Sequence, residues 1–122
     1  MATDKSFLVV DDSATMRQLI AMILRKMGYA KISDAANGKI ALERLESDSP
    51  DIVLTDINMP EMDGLEFIER ARAKYPKLPI VILSSFGDDA IRDNGLQLGA
   101  NGYLTKPLSR PMLAEVLETV FA

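Results

Sequence analysis

The fold is decided by residues 7–28, which read FLVVDDSATMRQLIAMILRKMG. The stretch opens with the apolar run Phe7 to Val10, which does not alternate with polar residues and is typical of a strand covered on both faces. An apolar stripe at helical spacing follows and stops at Gly28, a residue type that often ends helices. We therefore predict a buried strand, a polar turn and a helix packed against the strand.

The same pattern recurs through the rest of the chain. Further strands are predicted near residues 31–35, 52–54, 80–83 and 102–105. Further helices are predicted near residues 39–45, 65–74 and 89–98, and a last helix after the candidate N-cap Ser109. Because strands and helices alternate five times without a linker, we predict an α/β fold with a doubly wound, five-stranded parallel sheet.

The composition fits one folded domain over residues 1–122. The chain has 122 residues, is 48% hydrophobic and 26% charged, and carries a net charge of -4. This balance favours a single globular domain with a substantial core over a disordered chain. We recognise neither a signal-type segment nor a membrane-spanning stretch, and we expect a cytoplasmic protein without membrane insertion. The acidic balance argues against direct binding of nucleic acid.

Two missing residue types narrow the chemistry. The chain has no cysteine and no histidine. Catalytic triads with histidine, thiolate nucleophiles and zinc sites built on cysteine or histidine are therefore excluded. Any reaction must use carboxylates, hydroxyls, lysines or arginines.

Polar residues follow the predicted strands at their carboxyl ends, which lie at one edge of a parallel sheet. They are Asp11 and Asp12 after the first strand, Asp56 after the third, Ser84 and Ser85 after the fourth, and Lys106 and Pro107 after the fifth. Any one of them alone is about as well explained as a turn or cap residue. Three carboxylates facing one lysine, however, call for a divalent cation or for protonation of one acid. Because Mg²⁺ prefers oxygen ligands, we expect a magnesium site there.

Three motifs, in this order and spacing, resemble the receiver domain of two-component response regulators. They are FLVVDDS at residues 7–13, DIVLTDINMPEMDG at residues 51–64 and GYLTKP at residues 102–107. The resemblance covers essentially the whole chain and is closest to the single-domain chemotaxis regulators of this family. It implies a flavodoxin-like (CheY-like) sheet in the order 2-1-3-4-5, a strand order known for such regulators and not obtained from the periodicity.

The resemblance also implies the roles of the acids. Asp56 would accept a phosphoryl group from the phosphohistidine of a sensor histidine kinase. Mg²⁺ would be held by Asp12, Asp56 and the carbonyl of Asn58, and by Asp11 mainly through water. The absence of histidine from this chain fits a donor imidazole on another protein.

Three further positions match the family's switch. Lys106 and the Ser84 hydroxyl would approach the added phosphoryl oxygens, and Tyr103 would turn inward behind Ser84. The face made by the fourth helix, the fifth strand and the fifth helix would then change. Without the resemblance, Tyr103 is equally well a half-buried edge-strand aromatic and Lys106 a solvated lysine. The Lys106-Pro107 bond is a candidate cis peptide.

The lifetime of the phosphorylated form depends on water reaching Asp56 in line. Asn58 would orient that water, and Phe86 at the mouth of the site would restrict it. The alternative for Phe86 is simple loop packing. Asp63 and Gly64 are interpreted structurally, the glycine allowing either a positive φ or a close backbone approach.

Alternatives from other classes fit less well. Aspartate-nucleophile phosphatases typically carry an Asp-x-Asp pattern after an early strand. This chain has Asn58 two residues after Asp56, so the general acid of that pattern is missing. A metal-dependent nuclease needs a basic surface to approach nucleic acid, whereas this chain is acidic, with a net charge of -4. A non-enzymatic interaction module does not explain the acid cluster. We expect a switch and not an enzyme, beyond its own phosphotransfer and dephosphorylation.

The resemblance favours chemotaxis, with a chemotaxis kinase as donor and a flagellar motor switch protein as target. A phosphate-shuttling single-domain receiver, or the excised receiver of a larger regulator, shares the same chemistry and stays open.

Overall fold

The computed structural model describes residues 4–59 and 62–121, so Pro60 and Glu61 of the second motif lie outside the described residues. Within these ranges, strands and helices alternate five times. The strands are β1 (Ser6–Val10), β2 (Lys31–Ala35), β3 (Ile52–Asp56), β4 (Ile80–Ser84) and β5 (Gly102–Thr105). The helices are α1 (Ala14–Lys26), α2 (Gly38–Asp48), α3 (Gly64–Lys74), α4 (Asp89–Gln97) and α5 (Arg110–Phe121). None of these helices is long and apolar enough to cross a lipid bilayer.

The five strands form one parallel sheet in the order β2-β1-β3-β4-β5. The predicted doubly wound, flavodoxin-like topology is confirmed. Every residue of β3 and β4 is buried, which explains why these strands read as continuous apolar runs. The strands share one direction, so their carboxyl ends open at a single edge of the sheet, here called the carboxyl edge.

The core has two layers, one on each face of the sheet. Successive strand residues point to opposite faces. Phe7 and Val9 therefore pack in the cluster that includes residues of α1 and α5, whereas Leu8 and Val10 pack in the cluster that includes residues of α2 and α3. The acid-bearing ends of β1 and β3 are thus anchored in the rigid centre of the domain.

The sequence predicted β3 and β4 to end earlier than they do. Both strands continue into polar residues, Thr55 and Asp56 in β3 and Ser84 in β4, and all three are buried. The strands were predicted from apolar residues alone, so polar residues that are also buried were left out of the predicted strands. Asp56 and Ser84 consequently sit on strands and not on loops.

Two predicted helix ends, Gly28 after α1 and Ser109 before α5, are confirmed, whereas the N-cap Ser13 was not predicted. The Ser13 hydroxyl accepts a hydrogen bond from the Met16 amide at 3.2 Å and caps α1, and Gly28 after the helix has a φ of 101°. The Ser109 hydroxyl accepts from the Met112 amide at 3.4 Å, as expected of the N-cap of α5. The Lys106-Pro107 peptide is cis, as the sequence suggested.

Candidate functional site

The structure brings Asp11, Asp12 and Asp56 together at the carboxyl edge. One carboxylate oxygen from each lies within 4.8 Å of the other two. Asp56 ends β3 and Asp11 directly follows β1, and these two strands are neighbours in the sheet. Asp11 is 1% exposed and Asp56 is 7% exposed, whereas Asp12 faces solvent. Two buried acids with one exposed acid beside them form the acid cluster.

Lys106 reaches the acid cluster from the loop after β5. Its Nζ lies 2.9 Å from Asp11 Oδ2 and 3.5 Å from Asp56 Oδ2, and its side chain is 16% exposed. Burial alone would lower the pKa of Lys106, but the hydrogen bond that its ammonium donates to Asp11 and the charges of Asp56 and Asp11 outweigh burial, so the pKa is raised. Lys106 is therefore a charged counterion, and the solvated-lysine alternative is wrong.

The Asp56 carboxylate is held by backbone on one side. Its Oδ1 accepts hydrogen bonds from the amides of Ile57 at 2.7 Å and Asn58 at 3.4 Å. The pKa of Asp56 is nevertheless raised, first because of burial and also because of the charge of Asp11, while Lys106 and the two amides oppose the shift. One lysine does not fully neutralise the acids, and the cluster favours an additional cation.

The donor set suits Mg²⁺. Mg²⁺ prefers oxygen ligands and is usually bound by one or two carboxylates while it keeps several waters. The acid cluster offers carboxylate oxygens within 4.8 Å of one another, and the exposed Asp12 leaves one side open to water. The residues present therefore fit a magnesium ion.

Gly64 lets the loop after β3 close tightly beneath the site. A Cβ on Gly64 would lie 2.5 Å from Ile57 Cα and 2.6 Å from the Asp56 carbonyl oxygen, distances that no side chain tolerates. The glycine is therefore needed for close approach, and its φ is not positive. The Asp63 carboxylate caps α3 by accepting from the Glu66 amide at 2.9 Å, as the structural interpretation expected.

Ser84 and Tyr103 occupy different environments. The Ser84 hydroxyl is buried and donates to the Leu104 carbonyl at 3.3 Å, and the Lys106 amide donates to the Ser84 carbonyl at 2.7 Å. Tyr103 lies on the edge strand β5, is 44% exposed, and has the Arg92 guanidinium 4.3 Å from its ring centroid. Ser84 is thus linked directly to Lys106, while the Tyr103 ring lies on the surface.

Asp88 is a residue that the sequence interpretation missed. Its Oδ1 accepts from the Asn58 side-chain amide at 3.1 Å, and its Oδ2 accepts from the Ser85 amide at 2.8 Å. It therefore ties the loop after β3 to the loop after β4. The spacing of Ser85 and Asp88 is that of a capped turn and was the available signal. Phe86, inside this turn, is 99% exposed, so the loop-packing alternative is wrong.

Comparisons with known proteins agree with this geometry. A family model described as the response regulator receiver domain matches residues 7–118. The chemotaxis protein CheY1 of Helicobacter pylori (strain J99) is 38% identical over 116 residues, covering 93% of this chain and 94% of that protein. CheY of Thermotoga maritima is 35% identical over 116 residues, covering 95% and 97%.

A solved structure of the chemotaxis response regulator CheY4 of Vibrio cholerae superimposes with a TM-score of 0.86 at 33% identity, covering 97% of this chain and 99% of that chain. Larger proteins also match in part. A protein-glutamate methylesterase/protein-glutamine glutaminase of Treponema denticola is 43% identical over 107 residues, which cover 85% of this chain but 29% of that protein. With its five-stranded parallel sheet, its acid cluster and these matches over nearly its full length, the chain belongs to the response regulator receiver domain family.

Proposed function

We propose that this chain is a phosphorylation-activated switch in which Asp56 accepts a phosphoryl group from the phosphohistidine of a sensor histidine kinase. Receiver domains act in two-component signalling with histidine kinases and downstream effectors, and they are switches and not conventional enzymes. The observation that carries the proposal is the buried Asp56 carboxylate, which lies 3.5 Å from the Lys106 ammonium and within 4.8 Å of carboxylate oxygens of Asp11 and Asp12. Its Oδ1 is held by the Ile57 amide at 2.7 Å, and its Oδ2 is the oxygen nearer the ammonium.

The proposed transfer is a simple displacement at phosphorus. An oxygen of Asp56 forms the new bond to phosphorus while the bond from phosphorus to the imidazole nitrogen breaks. The bonding electron pair stays on the imidazole, which takes up a proton from solvent. The ammonium of Lys106, 3.5 Å from Asp56 Oδ2, is placed to stabilise the charge on the phosphoryl oxygens.

Mg²⁺ is the proposed cofactor, since receiver domains bind this ion in an acidic pocket. Asp12, Asp56 and the Asn58 carbonyl are its proposed ligands, with Asp11 acting mainly through water. A bound ion would add positive charge at the point where the phosphoryl group arrives. Asp11 accepts a hydrogen bond from Lys106 at 2.9 Å and would keep the lysine oriented in the site when the ion is bound.

The signal is proposed to leave the site through Lys106 and Ser84. Phosphorylation changes the charge at Asp56 from -1 to about -2 and adds strong acceptor oxygens. The Ser84 hydroxyl would give up the Leu104 carbonyl for a phosphoryl oxygen, and Tyr103 would then turn inward. The face of α4, β5 and α5 would change shape, and this face is the proposed binding surface for the downstream target.

Self-dephosphorylation is proposed to depend on Asn58 and Phe86. The Asn58 amide would orient the attacking water, but in this structure it is engaged by Asp88 at 3.1 Å. The Phe86 ring points into solvent here, so any restriction of water by it would require the ring to turn toward the phosphorylated Asp56.

Chemotaxis is the proposed biological role, because several similar proteins are chemotaxis proteins that this chain covers over 89–97% of their length. The target would then be a flagellar motor switch protein, and the location the cytoplasm, where kinases find ATP. A single receiver domain over residues 1–122 is part of this proposal. The alternative proposal is a receiver domain that belongs to a longer regulator, and the match to 29% of a larger methylesterase favours it.

The switch is tested with a phosphoryl mimic. Beryllium fluoride with Mg²⁺ should shift the amide resonances of Tyr103 and of residues in α5, and Asp56→Asn should abolish the shifts. Lys106→Met should keep binding the mimic but lose the shifts at α5. Shifts confined to the acid cluster in the unaltered protein would contradict the proposed output route.

A further inference from the structure

The loop after β4 carries the most exposed large apolar side chain among the described residues. Phe86 is 99% exposed, and the other exposed large apolar side chains, Leu19, Met22 and Tyr103, are each less than half exposed. A ring with almost no intramolecular contact adds nothing to core packing. Stability of the fold therefore does not account for a phenylalanine at this position.

Phe86 is presented by a closed turn. The Ser85 amide donates to Asp88 Oδ2 at 2.8 Å, and the Asp88 amide donates back to the Ser85 carbonyl at 3.1 Å. Asp88 Oδ1 also accepts from the Asn58 side chain at 3.1 Å, which ties the turn to the neighbouring loop. The backbone that carries the ring is thus ordered by these hydrogen bonds, so less backbone freedom is lost when a partner binds.

The turn lies beside the acid cluster. β4 pairs with β3, and Phe86 is two residues beyond Ser84 at the end of β4, so it flanks Asp56 at the carboxyl edge. A phosphoryl donor must bring its phosphorus to about 3–3.5 Å from an oxygen of Asp56. A donor that is a protein must therefore cover this edge and contact what projects from it.

Positive charge at this edge, from Lys106 and from a bound Mg²⁺, acts on the phosphoryl group and not on the protein surface around the donor imidazole. The edge carries the carboxylates of Asp11, Asp12, Asp56 and Asp88, and a phosphorylated donor is itself an anion at the point of contact. An exposed aromatic ring provides affinity by burial without adding to this repulsion, and such rings often dominate interface energies.

We propose that Phe86 is an apolar anchor for the phosphodonor protein, docking on an apolar patch beside that protein's phosphorylated imidazole. Asp88 is the positioning residue that holds the turn. The inference rests on the proposed function, since it names a partner contact of the same site. It predicts that Phe86 contributes to transfer from a protein donor and not to transfer from a small donor of the same chemistry.

The test compares two donors with matched leaving groups. One is the histidine-bearing domain of a chemotaxis histidine kinase, phosphorylated beforehand by that kinase with ATP and then purified, and the other is monophosphoimidazole. Second-order rate constants for phosphorylation are measured for the unaltered protein, Phe86→Ala, Phe86→Leu, Asp88→Ala and the surface control Lys77→Ala. The ratio of the two rate constants removes any effect on Asp56 itself.

The rate constant for the protein donor divided by that for monophosphoimidazole should fall about tenfold in Phe86→Ala and recover in Phe86→Leu. The same ratio should fall in Asp88→Ala and stay constant in Lys77→Ala. An unchanged ratio in Phe86→Ala would overturn the anchor. A concentration-dependent dimer that disappears in Phe86→Ala would overturn it too, by assigning the ring to a second copy of this chain. Failure of both donors to label Asp56 in the unaltered protein would refute the proposed function itself, which is a distinguishable outcome.

Discussion

Lys106 is the sole lysine or arginine within 4.0 Å of an acid-cluster carboxylate among residues 4–59 and 62–121, so Lys106→Met should destabilise the protein when Mg²⁺ is absent. Methionine keeps most of the side-chain length but removes the charge. Asp11, 1% exposed, would then be a buried carboxylate without its counterion, 4.8 Å or less from the carboxylate of Asp56.

The magnitude follows from the distances. At an effective dielectric constant of about 20, a unit charge pair at 2.9 Å is worth about 6 kcal/mol, and one at 3.5 Å about 5 kcal/mol. Desolvation of the ammonium and of the acids offsets much of this attraction. Removal of one partner from a buried pair typically costs about 3–5 kcal/mol, and we expect about 3 kcal/mol here. For a domain of this size that loss lowers Tm by about 10 °C.

Urea and thermal unfolding at pH 8 in EDTA measure this loss, and Lys77→Met, at an exposed lysine, is the matched control with an expected change of about 0.5 kcal/mol or less. Added Mg²⁺ should stabilise Lys106→Met more than the unaltered protein, because the ion no longer competes with the ammonium. If Lys106→Met lowered the free energy of unfolding in EDTA by less than about 1 kcal/mol, no more than the control does, Lys106 would not be the counterion of the acid cluster.

Asp12→Ala should weaken Mg²⁺ binding about tenfold in a calorimetric titration and slow magnesium-dependent phosphorylation, and undiminished phosphorylation would remove Asp12 from the ion site. Asp56→Asn should be more stable than the unaltered protein at pH 7 in EDTA. The raised pKa of Asp56 means that its ionised form costs folding energy, so this gain should disappear as the pH falls toward 3.8, and a gain independent of pH would contradict the assignment. Asn58→Ala should lengthen the lifetime of the phosphorylated form and Phe86→Glu should shorten it, measured as phosphate release after the donor is removed. Decay unchanged from the unaltered protein in both variants would show that neither residue controls water access.

The fold was readable from the sequence because its central strands are buried on both faces. Apolar runs marked β1, β3 and β4, and parallel topology then placed Asp11, Asp56 and Lys106 at one edge although Asp11 and Lys106 are 95 positions apart. The exposed edge strand β2 gave a weaker pattern for the same physical reason.

Contacts between loops were not readable. The bond between Asn58 and Asp88 joins side chains 30 positions apart and leaves no local pattern. Phe86 looked like a packed or shielding residue because an apolar side chain normally seeks cover, and only the geometry of the closed turn shows it in solvent. The buried ends of β3 and β4 were missed because polar residues conceal burial from an apolar pattern.

The most direct test of the central claim is intact-protein mass spectrometry after incubation with acetyl phosphate and Mg²⁺, with peptide mapping of the product. The account predicts a mass gain of one phosphoryl group on Asp56, lost on treatment with base, abolished by EDTA and absent from Asp56→Asn. Equal phosphorylation of Asp56→Asn, or a base-stable phosphoryl group mapped to a serine or threonine, would contradict it.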